Sequence, residues 1–323
     1  MSDARHAPPA APAPFDRAAV RAHRERAASA FGGNDHLFRE TGERLVDRLT
    51  DVQRDFPTVL DLGCHLGGLG RRLNDRPGTV RVIQCDLSPA MARGARAANG
   101  CPALAADEEA LPFARASFDL VASNLSLHWV NDLPGALVQI REALKPDGLF
   151  LACLLGGATL GALRSAFMEA EIAVEGGASP RVSPFADVRD GGDLLARAGF
   201  ALPVADLDTI RAAYPGPLEL MAGLRAMGET NAVAERRKTF TRRATLLEAA
   251  RRCGAGEAAR SAADGQGESQ VLAGFDIIWL AGWAPDPSQP RPLAPGAARG
   301  RLADALKAVE HPAGVRPDGT AGD

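Results

Sequence analysis

The feature that most constrains this chain is the run Val59-Leu60-Asp61-Leu62-Gly63-Cys64-His65-Leu66-Gly67-Gly68, an apolar strand bearing an acid that breaks into a glycine-rich turn and opens a helix. A strand with a near-continuous apolar run followed at once by a helix belongs in a parallel sheet, because parallel neighbours need a crossover between them. The rest of the first half agrees. Short apolar runs at 58–62, 80–86, 103–106, 118–124 and 149–155 alternate with helical patterns that begin at Gly68, at the Ser88-Pro89 cap and at Leu133. The turn Lys145-Pro146-Asp147-Gly148 leads into the fifth strand, and two further strands are expected at 202–210 and 270–283. The expectation is an α/β, Rossmann-like, doubly wound and mostly parallel seven-stranded sheet.

Helices are expected at 158–174 and 187–198, joined by a loop at 176–184 that carries Gly and Pro and could fold over a ligand. Residues 217–253 are helical in period, with Leu220, Leu224 and Met227 on one face, and they interrupt the chain between the last two strands. Such an insertion can form a helical cap over the carboxyl edge of the sheet, where open parallel sheets bind ligands. The domain would span 15–283, between a disordered arm at 1–14 and a Pro-, Gly- and Ala-rich tail at 284–323 with a short helix at 302–309. Cap residues Arg225, Arg236, Arg237, Lys238, Arg242, Arg243, Arg251 and Arg252, set against Glu219, Glu229, Glu235 and Glu248, read as a solvated face or a docking stripe.

Charge and cysteine usage remove several function classes. With 37 basic and 40 acidic residues the net charge is −3, so binding to nucleic acid through phosphate contacts is not expected. Five cysteines without a C-x-x-C pair, and six histidines without a carboxylate at ligand spacing, point to no disulfide framework and no metal site. The longest uncharged run, 148–163, is shorter than the roughly 18 residues of a membrane span. These readings imply a soluble, cytoplasmic enzyme.

In a doubly wound sheet the informative residues stand just after each strand. After the first come Asp61, Gly63, Cys64 and Gly67; the second ends in Asp86 and Leu87; the third is followed by Asp107 and Glu108; the fourth ends at Asn124. Asp61 offers a carboxylate to an ammonium group, Asp86 to ribose hydroxyls, and Asp107 with Glu108 to an adenine amino group. A nicotinamide dinucleotide would want G-x-G-x-x-G directly after the strand, and Gly63-x-His65-x-x-Gly68 lacks the middle glycine. The combination points to S-adenosyl-L-methionine (SAM). His128 and Trp129, after the fourth strand, would face the reacting end, as general base and as pocket wall. His65 stands where close approach of the backbone to a cofactor favours glycine, so its side chain must point away or the cofactor must shift.

The blocks Asp107-Glu108-Glu109-Ala110-Leu111-Pro112-Phe113, Ser126-Leu127-His128-Trp129-Val130-Asn131-Asp132-Leu133-Pro134 and Leu144-Lys145-Pro146-Asp147-Gly148 resemble class I SAM-dependent methyltransferases. Gly176-Gly177-Ala178-Ser179-Pro180-Arg181-Val182-Ser183-Pro184-Phe185, Tyr214-Pro215-Gly216 and Met227-Gly228-Glu229-Thr230-Asn231 resemble in particular the family of respiratory complex I assembly factor 5. That resemblance implies SAM as cofactor and an arginine of a respiratory complex I subunit as target, hydroxylated in that family, with the protein peripheral to the inner membrane through its partner. The malonyl carrier-protein O-methyltransferases resemble the Ser123-Asn124-Leu125 and 144–148 regions as well, which leaves methylation of a carboxylate as an alternative. A non-catalytic assembly protein on an inherited fold is the third reading.

Overall fold

The computed structural model of the chain describes residues 13–184, 187–255 and 270–290. Most of the expected arm, and the tail from 291 together with the short helix expected at 302–309, lie outside the described residues. The chain divides into one unit spanning Met1–Asp286 and another spanning Pro287–Asp323, and the first carries everything that follows.

Seven strands form one sheet: β1 (Thr58–Leu62), β2 (Arg81–Asp86), β3 (Ala103–Ala105), β4 (Phe118–Asn124), β5 (Leu144–Leu155), β6 (Ala201–Tyr214) and β7 (Val271–Trp283). Their order is β3-β2-β1-β4-β5-β7-β6, and β7 alone runs against the others. The order reverses direction beside β1 and β4, which opens a crevice at their carboxyl ends. β5 begins five residues before the expected strand. The Lys145–Gly148 turn is absorbed into it, and a register shift between Phe118 and Leu120 takes up the irregularity. β6 runs on past residue 210 because its pairing with β7 continues to Tyr214 opposite Val271.

Alternation along the strands divides the core. Val59, Leu120, Ala122, Leu149 and Leu151 face one side, while Leu60, Leu62, Val121, Phe150 and Ala152 face the other. The second face is covered by α5 (Leu133–Ala143) and α7 (Val188–Arg197), which contribute Leu137, Ile140 and Leu195. The first is covered by α2 (His36–Arg48), α3 (Gly68–Asn74), α4 (Pro89–Asn99) and α6 (Gly161–Glu175). All five cysteines are buried and reduced.

Two helical regions depart from the sequence expectation. The segment 217–253 is not one helical stretch: α8 (Pro217–Ala226) ends at Met227-Gly228, where Gly228 takes φ +84°, and α9 (Arg243–Ala255) begins after sixteen residues of turns and extended chain. The cap's period came from the two helices, and the glycine between them set the break. Ahead of β1, neither α2 nor, before it, α1 (Arg17–Ala27) was anticipated. α1 is capped by the Asp16 side chain accepting the Ala19 N–H at 3.1 Å, and it buries Val20, Arg24 and Ala27 on one face.

Candidate active site

The loop after β1 carries the conformations its glycines suggest, for a reason the sequence did not disclose. Gly63 has φ +72°, and a Cβ there would lie 2.0 Å from Ser126 Oγ; Gly67 has φ +78°, and its Cβ would meet Asn99 and Gln84. Glycine is required so that the chain's own side chains can approach the loop. His65 is itself left-handed, φ +48°, and its ring stacks on Phe31 at 5.3 Å and meets the Phe38 ring edge-on at 4.5 Å. Burial lowers its pKa to about 3, so it sits there as a neutral aromatic ring.

Beside this loop lies a small cavity of about 90 Å³, lined by Asp61, Gly63, Cys64, His65, Phe38 and Asn124 among others. Asp61 is fully buried, and neither carboxylate oxygen reaches a hydrogen-bond partner among the described residues. Burial pushes its pKa up to about 7; the Gly70 amide offsets this in part by its proximity, without the geometry of a hydrogen bond. An orphaned buried carboxylate on a glycine turn is a misfit unless a cation completes it, and the ammonium of SAM would do so. At this end the residues fit the expected cofactor. Asn124 contributes little polarity: its Nδ2 donates to Phe38 O at 2.8 Å and its Oδ1 accepts from Thr41 Oγ1 at 2.7 Å and Cys153 Sγ at 3.1 Å. Its amide is committed to holding α2. Cys64 points its thiol to His65 O, and Leu87 packs beside Phe15, Val20 and Trp129.

The other half of the crevice is filled by α1. Arg24 is fully buried, and its guanidinium reaches Glu108 Oε1 at 3.0 Å, Asp86 Oδ1 at 3.5 Å and Ser126 Oγ at 2.8 Å. Arg17, one helical heptad earlier, pairs with Asp107 and Glu108. Asp86 also accepts the backbone N–H of His65 at 3.0 Å and of Ser88 at 2.8 Å. Burial opposes charge on Glu108, but Arg24 and Arg17 overcome it and hold the carboxyl at about 2. Burial raises the pKa of Asp86 in spite of Arg24. The structure therefore brings together Asp86, Asp107 and Glu108 as expected, and supplies them with the chain's own cations. Neither Arg17 nor Arg24 was anticipated. The signal was present: Val20, Arg24 and Ala27 stand at i, i+4 and i+7, which places an arginine in an apolar stripe.

A third group lies beyond β4, where a short 3₁₀ turn, Leu127–Trp129, presents His128 and Trp129. His128 Nε2 and Trp129 Nε1 each lie 3.0 Å from the same oxygen, Glu229 Oε2. Glu229 follows Gly228 at the end of α8 and turns inward; burial opposes its ionisation, but His128 outweighs it and its pKa is lowered. The sequence reading had counted this residue among the surface charges of the cap. Trp129, Glu229, Leu155, Phe167 and Leu224 line a cavity of about 390 Å³, within the roughly 300–1,000 Å³ of ligand pockets. Its rim includes Arg181, Val182 and Ser183 of the 176–184 loop, anchored by Glu171 accepting Ser179 N at 2.6 Å and by Asn231 Nδ2 donating to Pro180 O at 2.7 Å. Of the remaining cap charges, Arg236 pairs with Asp16, Arg237 with Glu175, and Arg251 and Arg252 with Glu248. Among the described residues no group of three or more His, Cys, Asp or Glu could hold a metal ion, and no helix is long and apolar enough to cross a membrane.

Comparison with known proteins agrees with this geometry. A family model described as a methyltransferase domain matches residues 60–152, the stretch from β1 into β5. A putative methyltransferase from Bacillus halodurans superposes with a TM-score of 0.53 at 14% identity, over 76% of this chain and all of that one, which shows that the two share a fold. A malonyl-[acyl-carrier protein] O-methyltransferase of Xylella fastidiosa is 35% identical over 84% of this chain and 89% of its own length. The mitochondrial arginine-hydroxylase NDUFAF5 of Danio rerio is 41% identical over 297 residues, 91% of this chain and 89% of that protein. The chain belongs to the family of the NDUFAF5 proteins, enzymes built on the SAM-dependent methyltransferase fold.

Proposed function

We propose that this protein binds SAM at the carboxyl edge of its sheet and modifies an arginine side chain on a subunit of respiratory complex I. The observation that carries the reading is the cavity of about 390 Å³ beside the crevice, whose walls are mostly apolar and include Trp129 and the buried Glu229. A cavity of that kind accepts the long apolar stem of one protein side chain, with its polar tip carried toward His128 and Trp129. The identity to the arginine-hydroxylase NDUFAF5 supports the same target chemistry.

In this reading Asp61, Gly63, Cys64 and Gly67 hold the methionine end of SAM, Asp86 and Leu87 the ribose, and Asp107 and Glu108 the adenine. Asn124, His128 and Trp129 surround the reacting end. SAM, when bound, supplies an electrophilic sulfonium methyl group. Arg24 must yield Asp86 and Glu108 for the nucleoside to enter, while His128, fixed by Glu229, is placed to take up a proton from the target. The protein works in the cytoplasm, brought to the inner membrane by its partner.

The test is the mass of complex I subunits from cells with and without the gene. Loss of an added mass on one arginine, with lowered complex I assembly, is the expected result, and the size of the mass separates an oxygen from a methyl. Unmodified arginine in both strains, with labelled methyl passing instead to a carrier-bound carboxylate, would replace this reading by O-methylation. Partner binding by a protein that never binds SAM in calorimetry would replace it by a non-catalytic assembly role.

A further inference from the structure

We propose that Glu229 is the receptor for the substrate's guanidinium group, seated at the inner end of the cavity between the cap and the sheet. The inference rests on the arginine reading above and goes beyond it by naming the residue that selects the group.

The placement of the carboxylate carries it. Gly228, with φ +84°, turns the chain at the end of α8 so that Glu229 points inward, and its side chain is only 7% exposed. Oε2 accepts from Trp129 Nε1 and faces His128 Nε2, both at 3.0 Å, which fixes the plane of the carboxylate. Oε1 accepts from no donor among the described residues, and Glu229 lines the cavity. That second oxygen is open to a donor brought by a guest in the cavity, and a cationic donor would form a charge-assisted hydrogen bond there. Guanidinium is the cation whose planar fork matches a carboxylate, and its three-methylene stem can lie along Leu155, Leu163, Phe167 and Leu224.

The other charges near the cavity do not contradict this: Arg24 acts on Glu229 through space, but its guanidinium is committed to Glu108, Asp86 and Ser126. Arg181 is committed to Glu171, with Nε at 2.7 Å, and to Thr241, with Nη1 at 2.9 Å. Arg225 is exposed on α8, at the mouth. An anionic substrate would meet Arg225 on entry but would then confront Glu229 beside the reacting residues. A cation meets the opposite order, so the inner end selects positive charge.

Calorimetry on the full chain tests the assignment with three probes: acetyl-arginine methylamide, the isosteric but neutral acetyl-citrulline methylamide, and a malonyl thioester of N-acetylcysteamine. The arginine probe is expected to bind at least tenfold more tightly than either of the others. Glu229→Gln should erase that preference, Glu229→Asp should restore part of it, and circular dichroism of both variants should match the parent. Equal binding of arginine and citrulline, a preference that survives Glu229→Gln, or tighter binding of the thioester would each overturn the proposal. Its failure is distinguishable from failure of the arginine reading. If cells carrying Glu229→Gln still modify the target arginine fully, the guanidinium assignment falls alone. If deletion of the gene changes no arginine while the Glu229-dependent preference holds, the target reading falls and the guanidinium site stands.

Discussion

The two halves of the crevice differ in how the chain treats its buried acids. On the side proposed for the nucleoside, Asp86 and Glu108 are buried and paired with Arg24; on the side proposed for the methionine end, Asp61 is just as buried and has no hydrogen-bond partner among the described residues. One half is closed by the protein's own cation, and the other is left incomplete. The comparison teaches that a buried acid at a strand end can serve either folding or binding, and that its partners decide which. Arg24 gives the nucleoside half stability without a ligand, while Asp61 holds its half ready at the expense of the folded state.

The largest effect should come from breaking the closed half. Arg24→Ala leaves the buried Asp86 without its cation and Glu108 with Arg17 alone, and should destabilise the protein by about 3–5 kcal/mol, read as a fall in denaturation midpoint. A midpoint unchanged within error would show that Arg24 is no part of the folded network.

Asp61→Asn should act in the opposite direction. Burial raises the folded pKa of Asp61 to about 7 from its ordinary 3.8, so its contribution to stability is fully present below 3.8 and is lost as pH rises through 7. The asparagine variant should therefore melt at a higher temperature than the parent at pH 8, by up to about 4 kcal/mol of stability, and equally at pH 3. The same variant should bind SAM at least tenfold more weakly. A lower melting temperature at pH 8 would remove the contrast between the halves.

Glu108 has the reverse pH dependence, with a folded pKa of about 2 against an ordinary 4.5. Its pairing stabilises the protein fully above 4.5, and that stability is lost as pH falls through 2. Acid unfolding of the parent should therefore carry a component between these values that is absent in Glu108→Gln. The smallest effect is expected at His65→Gly, where relief of a left-handed backbone offsets the lost contacts with Phe31 and Phe38, each worth about 1 kcal/mol. A net change within about 1 kcal/mol, with tighter SAM binding in the enlarged cavity, is expected; a large loss would make His65 a structural keystone.

These contrasts also mark where the sequence was readable. The strands of the first half, and the parallel sheet they build, were legible in runs such as Val59–Leu62 and in caps such as Ser88-Pro89, because hydrophobic period and helix starts are local signals. The acids Asp61, Asp86, Asp107 and Glu108 were legible for the same reason: topology fixes where strand ends converge. What those acids touch was not legible. The partner of Glu108 lies 84 residues away on α1, and the residues that Glu229 joins lie about a hundred residues away on the turn after β4. No local pattern links positions so far apart, although an arginine within the Val20 to Ala27 stripe and a glutamate just after a helix-ending glycine could each have been marked as misplaced charges. Asn124 shows the converse, since its place after β4 suggested the site and its amide is spent on α2.

One feature reaches beyond either half. The start of α1 and the segment after α8 are tied by Asp16 N–H donating to Ala232 O at 2.8 Å, Ala234 N–H to Pro14 O at 2.9 Å, and the Arg236–Asp16 ion pair at 3.0 Å. The helix that carries Arg24 and the strip that carries Glu229 thus form one hydrogen-bonded element. Any free energy by which a guest under the cap shifts this element must reappear, equal in size, as a change in affinity for the nucleoside, and the reverse holds by thermodynamic necessity. In the proposed function cofactor and target would form a linked pair, and the affinity of either, measured with the other saturating, should give the same coupling factor.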